Sequence, residues 1–127
     1  MKDKDTTIQE LKDVMQKFLK EREWEKHQTP RNTASSIIIE AAELLEHFQW
    51  EDSQEKDKQE IARELADVVA YVLSFAIATD IDITEAFEEK MQRNAEKYPA
   101  EKFKGKAGLE EYYEAKNQQR NKKQERS

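Results

Sequence analysis

The sequence predicts an all-α protein: a four-helix bundle core, completed by oligomerisation, with a disordered C-terminal tail. Apolar residues recur at the spacing of a helical face in four successive segments. The two glycines, Gly105 and Gly108, both fall near the C-terminus, so the turn residues of hairpins, β-sandwiches and glycine-rich phosphate loops are missing. Of 127 residues, 36% are apolar and 39% charged, which suits one domain with a narrow core that copies of the chain complete.

The first helix spans about 7–22, where Ile8, Leu11, Val14, Met15, Phe18 and Leu19 share one face and Thr7 with Glu10 has the form of a capping box. A polar loop from Trp24 to Asn32 follows, in which Pro30 disfavours a helical Thr29. Asn32 or Thr33 then caps a second helix from about Ala34 to Phe48, and Glu51 to Lys58 is a charged linker. The third helix, roughly Lys58 to Thr79, is apolar nearly all round from Val68 onward, the mark of a central helix. It is too short and interrupted for a membrane span, which needs about 20 apolar residues. A fourth helix starts at Asp82-Ile83-Thr84-Glu85 and runs to about Tyr98, where Pro99 stops it. Leu109 to Lys116 forms at most a short helix, and Asn117 to Ser127, with no apolar residue, reads as disordered. This divides the chain into a domain of residues 1–105 and an extension of residues 106–127.

Composition removes several functions. With no cysteine there is no disulfide scaffold and no Cys-ligated zinc or iron–sulfur site. The charged start, Met1-Lys2-Asp3-Lys4-Asp5, lacks the apolar stretch of a signal peptide, which makes the cytoplasm the default location. A net charge of −6 argues against a nucleic-acid polymer as partner, although a polyanion held through metal ions stays compatible.

What remains is two pairs of acids: Glu40 and Glu43 on the second helix, Glu64 and Asp67 on the third. Residues at i and i+3 point the same way from a helix, so if both pairs face one cleft, four carboxylates converge. Such a cluster must take up protons or bind cations. Hard oxygen ligands without cysteine or paired histidine select magnesium, with manganese as a substitute. On so charged a chain, acids at this spacing usually form a solvated face. Asp67 differs, because it precedes a long uncharged run on the helix expected at the centre, where a lone buried aspartate is expensive. Glu60, Glu64, Tyr71 and Ser74 extend its stripe.

Lys90, Arg93, Asn94 and Lys97 make a cationic stripe on the fourth helix, either a phosphate-binding face or an exposed face paired with Glu89 and Glu96. Trp24 and Trp50, at a loop and a helix end, either stack on a nucleobase or cap the core edge. His27 shares the loop with Trp24, and His47 reads as a helix-surface residue. A di-iron carboxylate bundle needs Glu-x-x-His on each of two helices, which this chain does not supply.

Glu40-Ala41-Ala42-Glu43, twenty residues, then Glu64-Leu65-Ala66-Asp67 resembles the ExxE and ExxD signature of the MazG-like all-α nucleoside triphosphate pyrophosphohydrolases. Arg22 to Glu25, His27, Pro30-Arg31-Asn32, Phe48-Gln49-Trp50, Tyr71, and Lys90-Met91 through Asn94 to Tyr98-Pro99 narrow the likeness to the dCTP pyrophosphatase branch, over roughly residues 8 to 105. The resemblance implies that Glu40, Glu43, Glu64 and Asp67 hold magnesium, and that Trp24, His27, Trp50 and Tyr71 contact nucleotide. It also implies a homodimer or homotetramer that hydrolyses a (deoxy)nucleoside triphosphate, with dCTP foremost, to the monophosphate and pyrophosphate. Glu43, or Glu40, then serves as general base, and Lys90, Arg93 and Asn94 stabilise the departing pyrophosphate.

Two departures bear on the branch. True MazG proteins carry a glutamate just before the first ligand, where this chain has Ile39. The dCTP pyrophosphatase branch has a nucleotide-pocket histidine at the position of Met15, which leaves the favoured base open. A dUTPase-like enzyme, a phosphoribosyl-ATP pyrophosphohydrolase and a non-enzymatic helical interaction protein are the other readings.

Overall fold

A computed structural model describes residues 1–49, 58–105 and 109–125. Those residues form helices α1 (Ile8–Glu21), α2 (Pro30–Glu46), α3 (Lys58–Thr79), α4 (Ile83–Lys97), α5 (Ala100–Phe103) and α6 (Leu109–Glu125), with a short 3₁₀ turn at Glu25–His27 between α1 and α2. The chain divides into two compact units, Met1–Ile83 and Thr84–Ser127.

In the first unit α3 is the hub, packing chiefly on α2 and also on α1. The Thr7 hydroxyl accepts from the Glu10 amide at 3.1 Å while the Glu10 carboxylate accepts from the Thr7 amide at 2.8 Å, so the capping box fixes the start of α1. α2 begins earlier than the sequence suggested. Thr29, not Asn32 or Thr33, is its cap, accepting from the Asn32 amide at 3.1 Å. Pro30 takes the first helical position, where a missing N–H costs nothing and the fixed φ is already helical. Thr33 is instead buried within the first turn, its hydroxyl donating to the Thr29 carbonyl at 2.9 Å.

Both α1 and α3 end on a left-handed residue that is not glycine, Glu23 and Asp80, each with φ 54°. The Glu23 amide donates to Lys20 at 3.1 Å and the Trp24 amide to Leu19 at 2.9 Å; Asp80 and Ile81 repeat the pattern onto Ile77 and Ala76. These closures turn Trp24 off the end of α1. A side chain pays for this conformation in Cβ crowding, so Glu23→Gly is expected to stabilise the protein by about 1 kcal/mol, read as a higher melting temperature. Lys12 ties α1 to the end of α3 by donating to the Ile81 carbonyl at 2.6 Å.

The expectation that α3 is buried nearly all round is not met within one chain. Leu73, Ser74 and Ala76 are buried, but Leu65, Val69 and Val72 are exposed, while Phe75 and Ile77 are half-buried. Along with Leu11, Val14 and Met15 of α1, Leu65, Val69 and Leu73 line an apolar groove of about 410 Å³.

In the second unit, the disordered tail expected from Asn117 onward is helical through Glu125. Lacking apolar residues, that stretch gives no amphipathic signal. Its Glu, Lys, Gln and Arg are nonetheless good helix formers without an intervening Gly or Pro, and Glu110 and Glu111 in the first turn with Lys122 and Lys123 in the last complement the helix dipole. The Tyr112 ring stacks on Tyr98 with centroids 5.2 Å apart. Among the described residues, no helix is long and apolar enough to cross a membrane.

Candidate functional site

Packing of α2 on α3 brings the two acid pairs together. On α2, Thr33, Ile37, Glu40, Leu44 and His47 are the buried or half-buried positions of one face; on α3, Ile61, Glu64, Val68, Tyr71 and Phe75 do the same. Glu40 and Glu64 therefore occupy places in the seam that apolar side chains would ordinarily fill. Carboxylate oxygens of Glu40, Glu43 and Glu64 lie within 4.8 Å of one another, with Glu43 on the exposed side. Asp67, one turn beyond Glu64, stands outside this closest set but near enough for its charge to act on Glu40. It is exposed in the single chain, contrary to the expected burial, because the part of α3 around it is uncovered.

The electrostatics match a cation site. Burial is the largest influence raising the Glu40 carboxyl above its ordinary value, followed by a hydrogen bond with Glu43 and the charges of Glu43, Asp67 and Glu64. Glu64 Oε2 is buried without a hydrogen-bond partner, while its other oxygen lies 3.7 Å from His47 Nε2. An orphaned carboxylate oxygen beside two further carboxylates is a donor set of hard oxygens, and it fits a divalent cation such as magnesium.

A consequence for stability follows. A raised folded-state pKa means that folding favours the protonated acid, so the stability Glu40 contributes is fully present below its unfolded pKa and is lost as pH rises through the folded value. In EDTA, the melting temperature is expected to fall over that range, and magnesium, by binding the folded state, to remove the fall. A melting temperature indifferent to both pH and magnesium would dissociate Glu40 from a cation site.

The other expected site residues fall in three places. Tyr71 is half-buried on α3, one turn beyond Asp67. Trp24 leads into the 3₁₀ turn that contains His27; the residue is 48% exposed and its ring meets Phe18 edge-on at 5.9 Å. Asn32 fastens that turn to α2 by donating to the His27 carbonyl at 3.1 Å. Lys90, Arg93 and Asn94 are on α4, in the second unit, where Arg93 pairs with Glu89 at 3.1 Å. Trp50 lies outside the described residues.

His47 is the residue that sequence reasoning missed. It was expected to be a surface histidine, yet its ring faces Glu64. The signal was its spacing: His47 is i+4 from Glu43 and i+7 from Glu40, on the same face of α2. Met15, where the dCTP pyrophosphatase branch has a histidine, lines the apolar α1–α3 groove.

The MazG-like family pattern matches residues 35–115, a span that contains both carboxylate pairs. Mouse dCTP pyrophosphatase 1 is 30% identical over 109 residues, covering 80% of this chain and 64% of the mouse protein. Human dCTP pyrophosphatase 1 is 30% identical over 102 residues, covering 74% of this chain and 60% of the human protein. The chain thus spans a little under two thirds of the length of these relatives. A crystal structure of a pyrophosphatase from Archaeoglobus fulgidus is similar with a TM-score of 0.68 and 42% identity, over 72% of this chain and 92% of that one. On the span and content of the family match, the chain belongs to the MazG-like family.

Proposed function

We propose that the protein hydrolyses a (deoxy)nucleoside triphosphate between its α and β phosphates in a magnesium-dependent reaction, with dCTP or a related dNTP as substrate. The observation that carries this is the convergence of Glu40, Glu43 and Glu64 around the orphaned oxygen of Glu64. The relatives named dCTP pyrophosphatase 1 support the choice of substrate, and residues 1–105 would hold the activity.

Glu40, Glu43, Glu64 and Asp67 would hold the metal, which when bound neutralises the triphosphate and lowers the pKa of a water for in-line attack. Glu43, the exposed one of the three converging glutamates, takes a proton from the attacking water; Glu40 shares a hydrogen bond with it and holds it in place. His47, with its Nε2 3.7 Å from one Glu64 oxygen, orients Glu64. Lys90, Arg93 and Asn94 stabilise the pyrophosphate as it leaves, and Trp24, His27, Trp50 and Tyr71 contact the nucleoside. The exposed apolar face of α1 and α3 supports a homo-oligomer, dimer or tetramer; the cytoplasm is its proposed location.

Incubation with each of the eight common nucleotides plus magnesium, followed by identification of products, tests the reading. Monophosphate and pyrophosphate from one favoured dNTP are expected; absence of turnover on all eight would defeat it.

The base has its own test. Stacking on an aromatic ring is worth roughly 1–3 kcal/mol per base in single-strand binding proteins. Trp50→Ala is therefore expected to raise KM about ten- to a hundredfold with a much smaller fall in kcat, since stacking is similar in ground and transition states. A lower melting temperature with unchanged KM would make Trp50 a packing residue.

A further inference from the structure

Two cationic stripes face each other in the second unit. Lys90, Arg93 and Lys97 of α4 and Lys116, Arg120 and Lys123 of α6 line a groove of about 220 Å³. The amides of Asn94 and Gln119 complete its lining, and no carboxylate contributes. On α6 the three cations stand at i, i+4 and i+7, so one face of the helix presents all of them.

Their charge is poorly met from within the unit. Arg93 is held by Glu89 at 3.1 Å, and the Lys97 and Lys116 ammonium groups lie 5.1 and 5.9 Å from the rings of Tyr98 and Tyr112. Among the described residues, Lys90, Arg120 and Lys123 make no ion pair. Of the acids of α6, Glu110, Glu111 and Glu114 stand in its first half and Glu125 is its last residue. The neighbouring groove between the same helices is mixed in sign, with Glu89 and Glu96 beside Lys102 and Lys122. Cations facing one another across a narrow space repel unless an anion lies between them. The stacked Tyr98 and Tyr112 rings hold one end of the two helices together, so the stripes do not part freely.

We propose that this groove binds a chain of linked phosphates, with Lys116, Gln119, Arg120 and Lys123 of α6 as a binding wall. Six cations and two amide donors, with no acceptor-only group, suit a ligand of several adjacent negative charges better than a single phosphate or a carboxylate. The basic half of α6 lies past residue 115, beyond the family match. The source of the chain is either the triphosphate of a nucleotide or free pyrophosphate. Only the first alternative rests on the pyrophosphohydrolase reading.

Calorimetric titration of inorganic tripolyphosphate into the metal-free, full-length protein tests the groove without requiring turnover. Binding is expected to weaken as salt rises, and to weaken at least about tenfold in the triple variant Lys116→Gln, Arg120→Gln, Lys123→Gln. Lys122→Gln, which removes a charge from the neighbouring groove, should have little effect, and the double variant Lys116→Arg, Lys123→Arg, with Arg120 kept, should retain binding. Glutamine preserves helix propensity, and equal circular dichroism certifies that α6 persists. If the triple glutamine variant also raises KM for the nucleotide, the groove holds the substrate's own phosphates; unchanged KM with lost tripolyphosphate binding assigns it to free pyrophosphate. Equal binding by the triple variant, no binding by the unaltered protein, or tighter binding of a single-stranded oligonucleotide than of tripolyphosphate would overturn the proposal. A protein that hydrolyses no nucleotide but binds tripolyphosphate through α6 would retire the proposed reaction and leave the groove.

Discussion

Glu43→Gln is expected to lower turnover by at least about a thousandfold while leaving the helical content unchanged. The substitution keeps the volume and the backbone of α2 but takes one charge from a set of carboxylates whose oxygens lie within 4.8 Å. Losing a like charge relaxes the folded protein, because Glu43 is among the groups that push the Glu40 carboxyl upward. The variant should thus melt at the same temperature as the unaltered protein, or higher, without magnesium, and gain less when magnesium is added. Asp67→Asn should do the same. It tests a different point, since Asp67 sits outside the closest three and joins the site only if the metal is reached from its exposed position on α3. Turnover near the unaltered rate in either variant would remove that residue from the metal site.

Leu65→Asp with Val69→Asp is expected to break the proposed self-association. Among the described apolar residues only Leu19, Leu73 and Ala76 are buried in a single chain, whereas Ile38, Ile39, Leu45, Leu65, Val69 and Phe87 stay open. So much exposed apolar surface marks an interaction face. The groove of α1 and α3 is part of it, lined by aliphatic side chains with Met1 and Met15. Covering a Leu or Val side chain is worth about 1.5–3 kcal/mol, and a symmetric interface counts each change twice. Two charges there should weaken self-association by several orders of magnitude. Sedimentation at micromolar concentration should show an oligomer for the unaltered protein and a monomer with a lower melting temperature for the variant. A stable monomer before any substitution would contradict the account.

How much of this was legible in the sequence depended on periodicity and on chain punctuation. The bounds of α3, Lys58 and Thr79, coincide with those read from hydropathy, because a long apolar helix between a charged linker and Asp80 leaves little choice. The capping box at Thr7 was equally plain. α2 began four residues early because Pro30 was weighed for what it does to Thr29 and not for its fitness as a first helical residue. The basic half of α6 was hidden for the opposite reason: helix propensity without amphipathic pattern leaves no periodic signal. Glu40, Glu43, Glu64 and Asp67 are marked by their spacing, and Asp67 also by the uncharged run after it, but how far each is buried is not readable from either. Burial is set by which face of α3 meets α2, and Asp67 fell on the open side. A histidine taken singly carries no signal of His47's role, whereas its spacing from Glu40 and Glu43 places all three on one face.

These carboxylates are proposed to serve a metal-dependent cleavage of the α–β phosphate linkage. Phosphorus NMR of the full chain incubated with dCTP, with and without magnesium, addresses it directly. Signals of the monophosphate and pyrophosphate are expected to grow together in equal amounts with magnesium, and the triphosphate to stay unchanged in EDTA. Release of orthophosphate with a nucleoside diphosphate, or hydrolysis at the same rate in EDTA, would contradict the proposal.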